Sequence, residues 1–191
     1  FSILSFLLFT VPILRAGCVD SVYLNVKPVQ CHGLRNGVIE IAEVYGGTQP
    51  FYFSLDGQSY STRPVFDLLW AGEYTLYVKD STGCVAEYQA LVREPEELKV
   101  NISISDSSIV AGEWVPVKAT VHPPGTTLAR IEWRPPALFA VQNQLSQTVR
   151  IVEDTDIAIE IQDVNGCIAR HQLAVAVEET NLYFPNVFSP G

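Results

Sequence analysis

VKDSTGC, residues 78–84, and IQDVNGC, residues 161–167, are one pattern written twice: an apolar residue, a polar residue, Asp, two variable residues, Gly and Cys. The likeness extends outward, with YTLYVKDSTGCVA (74–86) over IAIEIQDVNGCIA (157–169). Each copy reads as an alternating strand, a tight turn, and a Cys that begins the next strand. Asp can bond the backbone inside such a turn, and Gly can take a positive φ at no steric cost. Two copies predict two sandwiches, each closed by a similar hairpin. A calcium-ligand role for Asp80 and Asp163 is the alternative, and one carboxylate per turn is thin support for it.

The flanking sequence continues in short strands broken by turns. VYLNVKP (22–28), GVIEIAEV (37–44), PFYFSL (50–55) and VAEYQALV (85–92) alternate or carry strand-forming residues, and YGGTQP (45–50) and DGQS (56–59) are turn signals. EPEE (94–97) is a polar, Pro-bearing joint. After it come LKVNISIS (98–105), EWVPVKATV (113–121), ARIEWRP (129–135), QTVRIV (147–152), DIAIEIQD (156–163) and CIARHQLAVAVE (167–178). Strands recurring about every ten residues, with no 3.6-residue stripe, are the mark of a β-sandwich. The expected fold is all-β: two tandem immunoglobulin-like β-sandwich domains, residues 19–94 and 95–178, after an N-terminal signal segment. Residues 179–191 are read as a linker.

FSILSFLLFTVPIL (1–14) is nearly all apolar. It is short for a membrane span, which needs about 20 residues. It has the length of a signal-peptide apolar region, and small residues follow it at Ala16-Gly17-Cys18. Residues 1–17 are read as a secretion signal. A buried core helix would show a polar face, and this run shows none. Lipidation of Cys18 is a further reading, although Arg15 stands where such a signal wants Leu. The chain has no Met, and is read as part of a longer one. Its formal charge of −9 argues against nucleic acid and against an anionic membrane surface as partners. The bland reading of that charge is a solvated exterior.

Export makes Cys18, Cys31, Cys84 and Cys167 disulfide candidates. No C-x-x-C or Cys/His cluster points to zinc.

The first unit resembles the SprB-type repeat of Bacteroidetes surface proteins. The resemblance runs over residues 31–84: Cys31 and Gly33, Asn36-Gly37, Gly46-Gly47, Pro50, Phe51-Tyr52, Leu69, Ala71-Gly72, Tyr74, Val78, Asp80 and Gly83-Cys84. Phe51 stands where the repeat usually has Tyr. The second unit is more loosely similar to immunoglobulin- or PKD-like modules, through Trp133, Pro135-Pro136, Leu138 and the repeated hairpin. Pro185-Asn186-Val187-Phe188-Ser189-Pro190 resembles the opening of the gliding-motility-associated C-terminal domain, with Gly191 in place of the usual Asn. The resemblance implies export by the type IX route.

With Cys31 placed near the start of one strand and Cys84 at the start of the last strand of the same sandwich, a Cys31–Cys84 disulfide is expected. Cys167 is expected to be buried and unpaired, with pairing to Cys18 as the alternative.

Catalytic machinery is not evident. His32, His122 and His171 are scattered, Ser59 in GQSYS lacks the second Gly of a nucleophile elbow, and no Gly-rich loop leads into a helix. VEDTD (152–156) groups three carboxylates, read as a solvated loop or, more sharply, as a weak Ca²⁺ site. No catalytic residue, metal site or cofactor is assigned. Aromatic residues crowd the first unit, chiefly as core. Alternation sets Phe51 and Phe53 on one face and Tyr52 on the other, and sets Tyr77 opposite Leu76. Tyr52 and Tyr77 together form a candidate ligand surface for surface glycans or other cell-surface proteins. The expected function is a non-catalytic, secreted module at the cell surface, outer membrane associated, serving adhesion or spacing. The alternative is a glycan-binding or spacer region accessory to a secreted polysaccharide-degrading enzyme.

Overall fold

The computed structural model describes residues 17–105 and 109–178. The signal segment, apart from Gly17, and the linker and sorting-domain opening at 179–191 lie outside the described residues. The chain divides into two compact units, one of residues up to Val29 and Gly33–Glu94, the other of Gln30–His32 and residues from Pro95 onward.

Unit 1 contains β1 (Val19–Lys27), β2 (Gly37–Gly46), β3 (Tyr52–Ser54), β4 (Val65–Leu69), β5 (Gly72–Lys79) and β6 (Val85–Val92). They form two three-stranded antiparallel sheets, β1-β2-β4 and β3-β5-β6. Alternation decides which side is buried. In β2, Ile39 and Ile41 point inward, and in β5 Leu76 and Val78 do. The core falls into two clusters, one around Ile41, Phe53, Leu76 and Val78, the other around Val29, Ile39, Ala90 and Val92. Half-buried Leu24, Leu55 and Phe66 pack against both. At the start of β5 the Tyr74 hydroxyl donates to the Trp70 carbonyl (3.0 Å), the tyrosine corner of immunoglobulin-like sandwiches.

Unit 2 contains β7 (Lys99–Ile104), β8 (Ile109–Val110), β9 (Glu113–His122), β10 (Leu128–Arg134), β11 (Ser146–Ile151), β12 (Thr155–Asp163), β13 (Ile168–Val175) and β14 (Val177–Glu178). The sheets are β7-β9-β11 and β10-β12-β13, and β8 pairs with β14 in parallel. β12 alternates strictly, so Ile157, Ile159 and Ile161 are all buried while Ala158, Glu160 and Gln162 face outward. One continuous core results. Trp133 lies at its centre, stacked on Phe139 at 4.6 Å between ring centroids. Its indole N–H donates to the Gln144 carbonyl (2.8 Å), which satisfies its one polar atom.

Both units therefore carry the same strand division, with the first, second and fourth main strands in one sheet and the third, fifth and sixth in the other, and unit 2 adds the short β8-β14 pair. That is the immunoglobulin-like β-sandwich.

Candidate binding surfaces and the repeated hairpin

The two hairpins are the same object. In each, the Asp amide donates to the Cys carbonyl (3.0 Å) and the Gly amide donates to the Asp carbonyl (3.1 Å). In each, one carboxylate oxygen accepts from the amide two residues on, 2.9 Å at Thr82 and 2.9 Å at Asn165. The same oxygen also accepts from the Cys amide, 3.0 Å at Cys84 and 2.8 Å at Cys167. Gly83 and Gly166 hold φ of 86° and 89°, a region that penalises any side chain. The Thr82 hydroxyl, then the amides of Cys84, Thr48 and Thr82, hold the Asp80 carboxyl below its ordinary value against the opposing effect of burial. These carboxylates are committed to turn backbone, which supports turn chemistry over calcium ligation. Among the described residues, no cluster of three or more His, Cys, Asp or Glu groups is arranged to hold a metal ion. In the 152–156 run, Asp154 accepts from the Val177 amide (2.8 Å). His122 pairs with Glu96 (2.7 Å), and His171 accepts from the Ile102 amide (3.2 Å).

The cysteine pairing differs from the one expected. Cys18 bonds Cys84, and Cys31 bonds Cys167, with Cα–Cα distances of 5.5 and 5.6 Å. Neither Cys31–Cys84 nor Cys18–Cys167 forms, and Cys167 is buried but paired. Strand direction is the reason. β1 and β6 run the same way, so Cys18 and Cys84, each one residue ahead of its strand, meet at one end of unit 1. The Tyr88 hydroxyl donates to the Val19 carbonyl (3.0 Å) beside them. Cys31 comes after β1, where Val29 N–H donates to the Arg93 carbonyl (2.9 Å) and Gly33 N–H to Glu94 (3.1 Å), at the far end of β6. An eight-residue strand is about 25 Å long, and a disulfide spans at most about 7 Å between Cα atoms. Cys31 instead belongs to the Gln30–His32 segment of unit 2, where the Gln30 side-chain amide donates to the Asn165 carbonyl (2.6 Å).

Tyr52 and Tyr77 lie on the outer face of the β3-β5-β6 sheet, both half-buried. Register places Tyr52 opposite Lys79 and Tyr77 opposite Ser54. Two residues not singled out in the sequence join them: the Lys79 ammonium sits 3.9 Å from the centroid of Tyr60 and 5.9 Å from that of Tyr52. The Tyr77 ring packs on Gly57, where an added Cβ would lie 3.4 Å away. The Asp56 turn beneath is fixed by its carboxylate, which accepts from the Ser54 hydroxyl (2.7 Å) and the amides of Gln58 (2.8 Å) and Ser59 (2.7 Å). Those bonds, led by Ser54, push the Asp56 carboxyl far below its ordinary value. One face of the Tyr77 ring is thus met by this protein's own turn.

A second surface lies on unit 2. The outer side of β10-β12-β13 carries Arg130, Glu132, Arg134, Glu160 and Arg170. Register sets Glu132 directly opposite Glu160, and Glu160 opposite Arg170. Like charges across a strand pair repel. Here Arg130 bonds Glu160 and lies 3.4 Å from Glu132, while Arg170 Nε donates to Glu160 (2.6 Å). The Arg170 hydrogen bond, followed by the charges of Arg170, Arg130 and Arg134, holds the Glu160 carboxyl below its ordinary value against desolvation. Period-2 charge in ARIEWR was the available sequence signal.

No family model matches this chain, and no curated protein matches it. Solved structures do. The chain is similar to Clostridium thermocellum CbhA fibronectin(III)-like modules, at 15% identity over 88% of this chain and 100% of that one, TM-score 0.37. It is similar to the mouse nectin-like molecule 4 ectodomain (Ig1–Ig3), at 11% identity over 88% and 67%, TM-score 0.39. It is also similar to a C-terminal fragment of intimin solved with the intimin-binding domain of the translocated intimin receptor, at 14% identity over 84% and 64%, TM-score 0.36. Disulfides are the chemistry of oxidising, extracytoplasmic compartments. Among the described residues, no helix is long and apolar enough to cross a membrane.

Proposed function

We propose that this chain is a non-catalytic, exported module of a larger cell-surface protein, acting in adhesion or as a spacer. The observation that carries the reading is the pair of disulfides, one fixed to each repeated hairpin of an immunoglobulin-like sandwich. The likeness of residues 31–84 to SprB-type repeats, and of residues 185–190 to the opening of the gliding-motility-associated domain, supports export by the type IX route and an outer-membrane address. Cell-surface proteins and surface glycans are the partners such a module meets.

The test is surface labelling of intact cells that make the protein, followed by intact mass and N-terminal sequencing of the labelled form. The reading expects an N-terminus within residues 16–19 and a mass four hydrogens below the reduced form. A protein shielded from the label, with residue 1 retained and four free thiols, would contradict it.

A further inference from the structure

We propose that residues 182–188 of this chain dock, through Phe184, in an apolar hollow at the end of unit 2 where β14 finishes. The proposal rests on unit 2 alone and does not depend on the exported, cell-surface reading. The hollow has a volume of about 290 Å³ and is walled by Pro135, Ala137, Leu138 and Val152, with buried Ile151 behind them. Val152 is 60% exposed. The walls are already held in place. The Leu138 amide donates to the Pro135 carbonyl (3.1 Å), and Arg150 Nε donates to the Gly112 carbonyl (2.9 Å). Arg150 and Glu153 bring one charge of each sign to the hollow, so it suits an uncharged, apolar group.

Position and composition select the occupant. The Val177 amide donates to the Asp154 carboxylate (2.8 Å), in the turn between β11 and β12. Asp154 is two residues from Val152, at most about 7 Å between Cα atoms. Glu178, next to Val177, pairs with Val110 and closes β14. Leu182 is four residues further on, which spans up to about 14 Å of extended chain. The segment that follows β14 therefore starts beside the hollow and can reach it. It reads LYFPNVF, and no charged side chain occurs from Thr180 to Gly191. Pro185 fixes one φ in advance and lowers the entropy lost on docking. A tethered segment meets its seat at an effective concentration on the order of millimolar, an advantage over any free partner. Register sets Trp114, 64% exposed, opposite Arg150, so apolar surface continues from the hollow onto the outer side of β9. Docking would anchor the exit of the chain from the sandwich.

The experiment is hydrogen exchange and methyl NMR on the full, oxidised chain, beside a synthetic peptide of residues 179–191. The amides of Leu182, Tyr183 and Phe184 should exchange about tenfold more slowly in the chain than in the peptide, the hold of one buried apolar side chain. Nuclear Overhauser contacts should join the Phe184 ring to the methyl groups of Ala137, Leu138 and Val152. Val152→Asn and Phe184→Ser should each return the exchange to within about twofold of the peptide, with β12 amides unchanged. Val164→Asn makes the same substitution at a valine 64% exposed, just past the far end of β12, and should leave the protection intact. Peptide-like exchange in the wild type, or equal losses in Val152→Asn and Val164→Asn, would overturn the proposal. Contacts that vanish on dilution would assign the hollow to a second copy of the chain and overturn it as well.

Discussion

Unit 1 and unit 2 share a strand plan and a hairpin but not a core. Unit 2 buries fifteen hydrophobic residues in one cluster around Trp133. Unit 1 divides nine between two smaller clusters, and its single Trp, Trp70, is 54% exposed. What repeats in this chain is therefore the closing element, and the interior behind it has been filled in two ways. A sandwich with the smaller interior has less apolar burial to set against chain entropy. Each unit has one disulfide and one D-x-x-G turn, and unit 1 adds further local polar chemistry: the Tyr74 corner and a second Asp turn at position 56.

The sharpest way to break this comparison is Trp133→Ala. It leaves a large cavity and strips the Gln144 carbonyl of its donor, so unit 2 should lose about 5 kcal/mol. Hydrogen exchange should show the loss in unit 2 amides, with unit 1 protection retained. Next comes the Cys18→Ser/Cys84→Ser double variant. Removing a cross-link over 66 residues of sequence should cost unit 1 about 4 kcal/mol in the chain-entropy treatment. Denaturant unfolding followed by unit 1 amides would measure it. A loss under about 1 kcal/mol would show that unit 1 does not lean on its disulfide.

Gly83→Ala and Gly166→Ala probe what the units have in common. Each forces a side chain into a left-handed backbone, with no atom closer than 3.7 Å to the new Cβ at either position. The expected cost is about 1–2 kcal/mol, alike in both units. Unequal costs, measured by thermal unfolding, would mean that the hairpins are not equivalent. The smallest effect is the acid response of unit 1. A carboxyl whose folded pKa is depressed contributes stability that is full above its unfolded value, about 3.9. That contribution is lost as pH falls through the lower folded value. Asp80 and Asp56 both shift this way, so unit 1 should weaken below about pH 4. Asp80→Asn should make its melting temperature less dependent on pH in that range. An unchanged slope would show that Asp80 adds nothing beyond a neutral turn bond.

Most of the fold was legible because strand alternation and D-x-x-G turns are local signals. Ile157, Ile159 and Ile161 announce a buried face with no tertiary knowledge, and the repeated hairpin counts the sandwiches. The pairing of cysteines was not legible in the same way. It depends on which end of a sandwich each Cys reaches, and Cys31 departs from unit 1 to bond within unit 2. A rule of strand direction would have joined Cys18 to Cys84, since each immediately precedes the first or last strand of its sandwich. At the surface, alternation placed Tyr52 and Tyr77 on one side of the sheet. It carried no information on Lys79 crossing the rings of Tyr52 and Tyr60, or on the 56–59 turn folding back over Tyr77. The charged row of β10 was readable in Arg130, Glu132 and Arg134.

The central claim is that each repeated hairpin is fixed by a disulfide to a cysteine flanking β1. Peptide mapping of the unreduced protein tests it directly, using chymotrypsin, which cuts after Tyr23 and so separates Cys18 from Cys31. The account predicts two linked pairs, Cys18 with Cys84 and Cys31 with Cys167, each released on reduction. A peptide joining Cys31 to Cys84, or Cys167 recovered as a free thiol, would contradict it.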